Sequence, residues 1–281
     1  MKINKERLKK QKFYFINFVI KELDRQTADN YIEVLAQIYD KKMKIKTYGD
    51  RRTFMTSFVK VGNHYEGILS NAIFVDPNSS AINGDTYVIT YPNIDPNKGL
   101  SLKQWDFYFY PKYHRMAIVS GCSLSQVLKF FNEAFINIFG EMDYITVNIE
   151  KERSIIDKII GSKTIDSIDL ELSYSNNDCY DDWTEVMDLD MKNSCTQKAK
   201  FSFKALAGHF LDLESTKFIK SLLYLTKSNG SAKARLLNQQ GRHEIVNTND
   251  YPKQVQVEFS NDNPSQELND IASQISNNTD T

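Results

Sequence analysis

The sequence predicts an α+β fold: a mixed antiparallel sheet meander with a βαβ-like unit and a C-terminal helix, ending in an acidic disordered tail. Three observations carry that expectation. Short runs alternate apolar and polar residues between glycine and proline turns, two longer segments repeat apolar residues at helical spacing, and the last residues lose apolar and basic character together. With 281 residues, 41% hydrophobic and 12% aromatic, the chain can bury a sizeable core without a metal or disulfide staple.

Phe13, Phe15 and Phe18 mark a first strand, after which Ile32, Leu35 and Tyr39 recur at helical spacing between Thr27 and Asp40. Segments 53–61 and 65–75 read as strands joined at Gly62–Asn63, and 86–91 as a third strand of an antiparallel meander. Pro92, Pro96 and Gly99 then punctuate the chain. They set the expected division into an N-terminal α/β domain at 1–96, a C-terminal α/β domain at 97–259 and an acidic tail at 260–281. In WDFYFYPKYHRMAIV, residues 105–109 and 113–119 form strands around Pro111. Ser123 is placed to cap a helix reaching Phe139, with Val127, Phe131 and Phe135 on its inner face. A strand at 144–149, a helix within 150–160 and a strand at 165–173 compose the βαβ-like unit, and Leu211, Phe218, Ile219, Leu222 and Leu223 mark the C-terminal core helix.

The formal charge of −1 conceals strong local imbalance. Residues 1–60 hold fifteen Lys/Arg against seven Asp/Glu, a net of +8, and residues 161–190 hold one against nine, a net of −8. Residues 191–253 return to eleven against four, a net of +7. Uniform supercharging is excluded, whereas a basic ligand surface, an interface and intramolecular neutralisation all fit these blocks.

Cys122, Cys179 and Cys195 form neither a complete disulfide framework nor a Cys-x-x-Cys pair, which favours reduced thiols and a cytoplasmic setting. The basic opening lacks the uninterrupted apolar stretch and cleavage pattern of a signal peptide, and no run approaches the about 20 apolar residues of a membrane-spanning helix. No integral membrane segment is expected.

Two basic groups are the candidate nucleic-acid contacts. Lys41, Lys42, Lys44, Lys46, Arg51 and Arg52 follow the first helix, where they either complement its C-terminal partial charge or engage phosphates. Arg52 is the better clamp because its planar donor fork matches phosphate. Lys198, Lys200, Lys233, Arg235 and Arg242 supply a second patch, with solvated helix and strand surfaces as the plainer alternative. Trp105 to Tyr113 offer aromatic rings for base stacking, against which stands ordinary cross-strand packing. His64, and His114 beside Arg115, read as sheet or turn residues, and the cysteines as inert thiols.

The acidic segment NNDCYDDWTEVMDLD offers hard oxygen ligands for Mg2+ or Mn2+. Asp181, Asp182 and Glu185 are its candidate metal ligands in a divalent-metal-dependent phosphodiesterase or nuclease, although the spacing lacks a calcium-loop pattern and plain solvation accounts for the same residues. No catalytic residue is assigned, and no cofactor is expected outside that nuclease alternative.

The organisation from the middle aromatic strands through the 123–139 helix and 144–149 strand, with the C-terminal core helix and residues 232–247, resembles bacteriophage-exclusion RexA-like and related uncharacterised antiphage proteins. The resemblance covers the middle and C-terminal halves, while the aromatic opening and acidic insertion depart from it. It implies a mixed α/β protein that binds DNA or RNA, acts in phage exclusion or antiviral defence, and forms a homodimer; it carries no catalytic motif. The leading expectation is therefore a non-catalytic nucleic-acid-binding protein, with the nuclease and a structural module binding a protein partner as alternatives.

Overall fold

Strand β1 (Lys9–Ile20) alternates so that Phe13 and Phe15 point to one face and Ile16, Phe18 and Ile20 to the other, and all five are buried. A strand buried on both faces must be covered twice, and the rest of the chain supplies the two covers. The computed structural model describes residues 9–76, 78–91, 95, 97–140, 144–176, 181–194, 196–238 and 240–259.

Thr27 caps α1 (Ala28–Asp40) by accepting a hydrogen bond from the Asn30 N–H, and α1 lays Tyr31, Leu35 and Ile38 on the first core. Antiparallel strands β2 (Ile45–Tyr48), β3 (Arg51–Val61) and β4 (His64–Phe74) follow. A two-stranded ribbon, β5 (Ala81–Ile82) with β6 (Ile89–Thr90), interrupts the sheet before β7 (Gly99–Tyr110) pairs with β4. Next, β8 (Arg115–Val119) joins β7 to β1, α2 (Leu124–Phe139) packs Phe131 and Phe135 edge-on to Phe18, and β9 (Ile145–Ile149) returns to β1. The second half runs α3 (Arg153–Ile160), β10 (Ile165–Ser173), α4 (Asp182–Asn193), β11 (Lys198–Lys204), α5 (Lys217–Asn229), β12 (Gly230–Leu237) and β13 (His243–Asn247). Last, β14 (Gln254–Phe259) comes back to the first sheet beside β1.

The first sheet has eight strands in the order β14-β1-β8-β7-β4-β3-β2, with β9 also on β1, and curls into a half-barrel. Because β14 pairs residues 9–14 of β1 and β9 pairs residues 16–20, these two strands share one edge of β1 in tandem. The second sheet, β11-β10-β12-β13, carries its own core of Ile156, Ile159, Leu170, Leu222, Leu223 and Ala234 under α3 and α5. α5 ends against the face of β1 that α1 and α2 leave open, so helices and sheets alternate in four layers.

An α+β fold of antiparallel sheets and several helices is therefore present, and four particulars differ from the sequence expectation. The third strand of the meander is β7, which buries Phe107 and Phe109; the strand expected at 86–91 is reduced to β6, which pairs with β5 outside the main sheet, and residues 86–91 are exposed. The 144–173 region is not a βαβ unit, because β9 and β10 belong to different sheets and every strand pairing among the described residues is antiparallel. The expected division at 96/97 falls inside one sheet, since β4 and β7 are hydrogen-bonded across it. The expected C-terminal helix corresponds to α5, which three strands follow, and the tail expected at 260–281 lies outside the described residues. Ser123 occupies the N-cap position of α2 while its hydroxyl meets that of Ser125.

Where the two halves meet, the core turns polar. Arg115 of β8 donates from Nε to Glu150 and from Nη1 to Asn17 Oδ1, and Lys253 stands 3.6 Å from the other Glu150 oxygen. Asn17 donates to Asn229 Oδ1 at 3.0 Å, and Asn176 donates to Asn17 Oδ1 at 3.1 Å and to the Phe18 carbonyl at 2.7 Å. Burial alone would raise the Glu150 carboxyl, but the Arg115 and Lys253 charges outweigh it and hold the pKa below the ordinary value. Backbone bonds from Lys151 N–H to Lys227 O and from Glu152 N–H to Tyr251 O stitch the same seam. α5 passes straight into β12 at Gly230, with φ +152; a Cβ there would lie 2.1 Å from the Glu171 carbonyl oxygen, so only glycine fits.

Glu150→Gln leaves Arg115 and Lys253 buried without a counter-charge, and urea unfolding is expected to show a loss of about 3–5 kcal/mol; a loss below about 1 kcal/mol would contradict the role given to this seam. A second test uses pH. Burial pushes the Lys151 ammonium down to about 8 from 10.5, with Glu150 offsetting part of the effect. Between these values the unfolded chain binds more protons than the folded one, so stability rises with pH through that window, and Lys227 and Lys253, also lowered by burial, act in the same direction. Lys151→Met should flatten the rise in denaturation midpoints measured from pH 8 upward; an unaltered slope would show that Lys151 does not cause it.

Candidate nucleic-acid interface

The first basic group gathers at one end of the half-barrel, and the fold dictates why. α1 ends at Lys41, and Lys42 takes the left-handed conformation (φ 47) that turns the chain toward β2, the edge strand. Strand alternation then buries Ile45 and Thr47 and exposes Lys46 and Tyr48, while Arg52 on β3 stands opposite Lys46. Lys44 Nζ lies 5.0 Å and Arg52 Cζ 5.4 Å from the centre of the Phe74 ring, so one aromatic ring contacts two cations. Lys42 and Lys44, with Asp40, Tyr39 and Phe54, line a cleft of about 390 Å³ between the end of α1 and β3.

Not all six cations are equally available. Lys46 pairs with exposed Asp50 at 3.7 Å, and Arg51 donates to Asn71 Oδ1 at 3.0 Å, which ties its guanidinium to the polar Thr47, Thr53 and Asn71 group on the inner face. Lys42, Lys44 and Arg52 have no carboxylate partner among the described residues, and Arg52 is the cation the sequence singled out as a clamp. Tyr48, 71% exposed, stands at the same edge. The Phe74 N–H donates to Asp50 O, so the excursion bearing exposed Tyr87 and Tyr91 leaves the sheet from this end.

The second group does not assemble into a comparable surface. Lys198 and Lys200 both pair with Glu171, at 2.6 and 3.2 Å, Arg235 lies 3.8 Å from Asp166, and Lys233 stands opposite Asp169 in the strand register. Glu171 is consequently held below the ordinary carboxyl range, first by the Lys198 hydrogen bond. Arg242 sits apart near the β12–β13 turn. The outer face of the second sheet is a ladder of alternating charge that largely neutralises itself.

The rings expected to stack bases are mostly core. Phe107 and Phe109 are fully buried, Trp105 packs on the first core, and Tyr108 and Tyr113 pack against Phe13, Phe15 and Tyr110 on the opposite face. Burial raises the Tyr110 phenol and lowers the His114 imidazole well below its usual range. His64 stacks on Tyr110 beside Glu66, and burial pushes the Cys122 thiol up to about 12; Cys179 and Cys195 lie outside the described residues.

Residues 182–190 of the acidic segment lie in α4, an element not anticipated from the sequence. Asp181 is its N-cap: its carboxylate accepts from the Thr184 N–H and the Ser221 hydroxyl, and Thr184 returns the bond to the Asp181 N–H in a capping box. Asp182 and Glu185 lie in the first turn, where negative charge suits the helix dipole. Among the described residues no group of three His, Cys, Asp or Glu is arranged to hold a metal ion.

Fold and surface together define an α+β protein of two antiparallel sheets sealed by a buried ionic seam, with a basic-aromatic edge on the larger sheet that is only partly compensated by Asp40 and Asp50. The chain belongs to the family described as a domain of unknown function, DUF4747, whose model matches residues 9–276. No curated protein matches it. Among the described residues no helix is long and apolar enough to cross a membrane.

Asp181→Ala is expected to cost about 1 kcal/mol of stability through loss of the cap, while Asp182→Ala changes it by less than about 0.5 kcal/mol. Thermal denaturation of the two variants compares them directly, and equal effects would argue against the cap as the dominant role of Asp181.

Proposed function

We propose that this protein is a non-catalytic nucleic-acid-binding protein whose contact surface is the β2–β3 edge. The observation that carries the reading is that Lys44 and Arg52 both contact the Phe74 ring and neither forms an ion pair among the described residues, in contrast to the self-neutralised ladder on the second sheet. Lys42, Lys44 and Arg52 engage phosphates, and Lys41, Lys46 and Arg51 extend the field around them. Exposed Tyr48 beside these cations favours single-stranded DNA or RNA, because an unpaired base can stack on a ring that a duplex does not reach. Phosphate contacts position the strand without reading its sequence, so weak base preference goes with this mode. The resemblance to phage-exclusion proteins supplies the cellular setting, and a homodimer would present two such edges to one strand.

Fluorescence anisotropy with labelled single-stranded and duplex oligonucleotides is expected to show binding that weakens steeply with salt. Combined Lys44→Gln and Arg52→Gln substitution should weaken it at least tenfold and reduce the single-strand salt slope by about 1.4, with circular dichroism unchanged. A folded protein that binds no nucleic acid at low salt, or a double variant that binds as the parent does, would overturn the proposal.

A further inference from the structure

A second site lies at the seam between the sheets, far in character from the exposed basic edge. Here a cleft of about 210 Å³ opens between β9, β10 and the start of β12, and Lys151 forms part of its wall. The Lys151 residue is 4% exposed, and its ammonium donates one hydrogen bond, to the Gly230 carbonyl at 2.5 Å. An ammonium has three donors, so two directions remain. Its sequence neighbour Glu150 is already committed to Arg115 and Lys253, and among the described residues no carboxylate pairs with Lys151. Buried charges in folded proteins are normally paired, and an uncompensated one is costly. A buried cation that lines an open cleft, with no carboxylate in ion-pair contact among the described residues and only the Glu150 charge nearby to offset its burial, is a place where an external anion restores the balance.

The other walls fit that role. Lys198 brings a second ammonium, and Asn148, Ser231 and Asn249 bring neutral amide and hydroxyl groups. Among the described residues the Ser231 hydroxyl and the Asn249 side-chain amide make no hydrogen bond within the protein, whereas Asn148 donates to Ser173 at 3.2 Å. One carboxylate, Glu171, also faces the cleft, but Lys198 and Lys200 both pair with it, so the cleft with these groups stays net positive. Cations and neutral donors arriving from several directions suit a phosphate, whose oxygens accept on all sides, better than a planar carboxylate with two oxygens. The volume admits a phosphate carrying a small organic group and lies below the usual range for drug-sized ligands, about 300–1,000 Å³.

We propose that this cleft binds a small phosphate-bearing ligand, gripped by Lys151 and oriented by Ser231 and Asn249, with Lys198 neutralising the Glu171 carboxylate beside it. The backbone strain nearby serves the same geometry. Gly230, which accepts from Lys151, holds a conformation reserved to glycine because β10 approaches so closely, and that approach sets one wall of the cleft. The low Lys151 pKa means that a bound anion also makes its charged form easier to keep.

Isothermal titration calorimetry of the full chain with inorganic phosphate, and with acetate at matched ionic strength, tests the site. Saturable binding of one phosphate per chain with no acetate signal is expected. Lys151→Met should abolish it, and Asn249→Ala, at an exposed position, should weaken it about tenfold while the fold persists, so the result does not depend on Lys151→Met remaining folded. Absence of saturable phosphate binding, retention of full affinity in Asn249→Ala and Lys151→Met, or loss of binding in Lys44→Gln/Arg52→Gln instead would overturn the proposal. Phosphate binding here without any oligonucleotide binding would uphold this site and reject the basic-edge reading, and the reverse would do the opposite.

Discussion

The Arg115–Glu150 ion pair stands where the two sheets meet, and its burial governs the rest of the structure. Both side chains are 3% exposed, so neither charge can rely on water. A buried pair holds only when its remaining donors and acceptors are also satisfied, and the elements around it are those that satisfy them. β1 tolerates Asn17 in the middle of an apolar strand because its amide bridges Arg115 to α5. The chain returns from the second sheet through Lys253, which sits over the Phe15 ring at 4.5 Å and faces Glu150, and only then continues as β14. The return of the last strand to the first sheet and the docking of α5 are thus two parts of one electrostatic requirement.

The same reasoning separates the charged surfaces. Ion pairs such as Lys198–Glu171 are half exposed and each contributes little stability. Their larger consequence is to cancel the field of the basic residues on the second sheet. On the first sheet, lysines along the β2 edge guard an open strand from pairing with another chain, a role that any exposed lysine fills. Edge protection does not require two cations on one aromatic ring, nor a cleft that combines Tyr39 and Phe54 with Lys42 and Lys44. Those features are what the proposed contact surface adds to a guarded edge.

Much of the first layer was legible because its burial follows local period: Phe131 and Phe135 on α2 and Leu35 on α1 are apolar and inward, although the α1 stripe expected at Ile32, Leu35 and Tyr39 is turned by one residue, so that Tyr31 and Ile38 are buried while Ile32 and Tyr39 are only partly covered. α4 was hidden because it inverts that rule. Trp183, Val186 and Leu189 recur at helical spacing yet face solvent, whereas Thr184, Asp188 and Lys192 are buried, the last two as a 2.6 Å ion pair. Pro92, Pro96 and Gly99 signalled a real interruption, but it is an excursion from one sheet and not its end. The basic edge could be read from a run of lysines, while the seam joins Asn17, Arg115, Glu150 and Lys253 across distances at which local pattern carries no information.

The two proposed anion sites on this chain differ in dielectric surroundings, and that difference suits them to different ligands. At the β2–β3 edge the charges are exposed and screened over about 8 Å at physiological salt, so attraction there accumulates only when many phosphates lie along one strand. Lys151 is enclosed by β9, β10 and β12, where water and salt screen poorly and one well-placed anion suffices. A polymer cannot enter a 210 Å³ cleft, and a lone phosphate gains little at an open edge. Under the two proposals, geometry would sort extended and compact phosphates onto separate parts of one fold, and neither surface would need the other to be occupied.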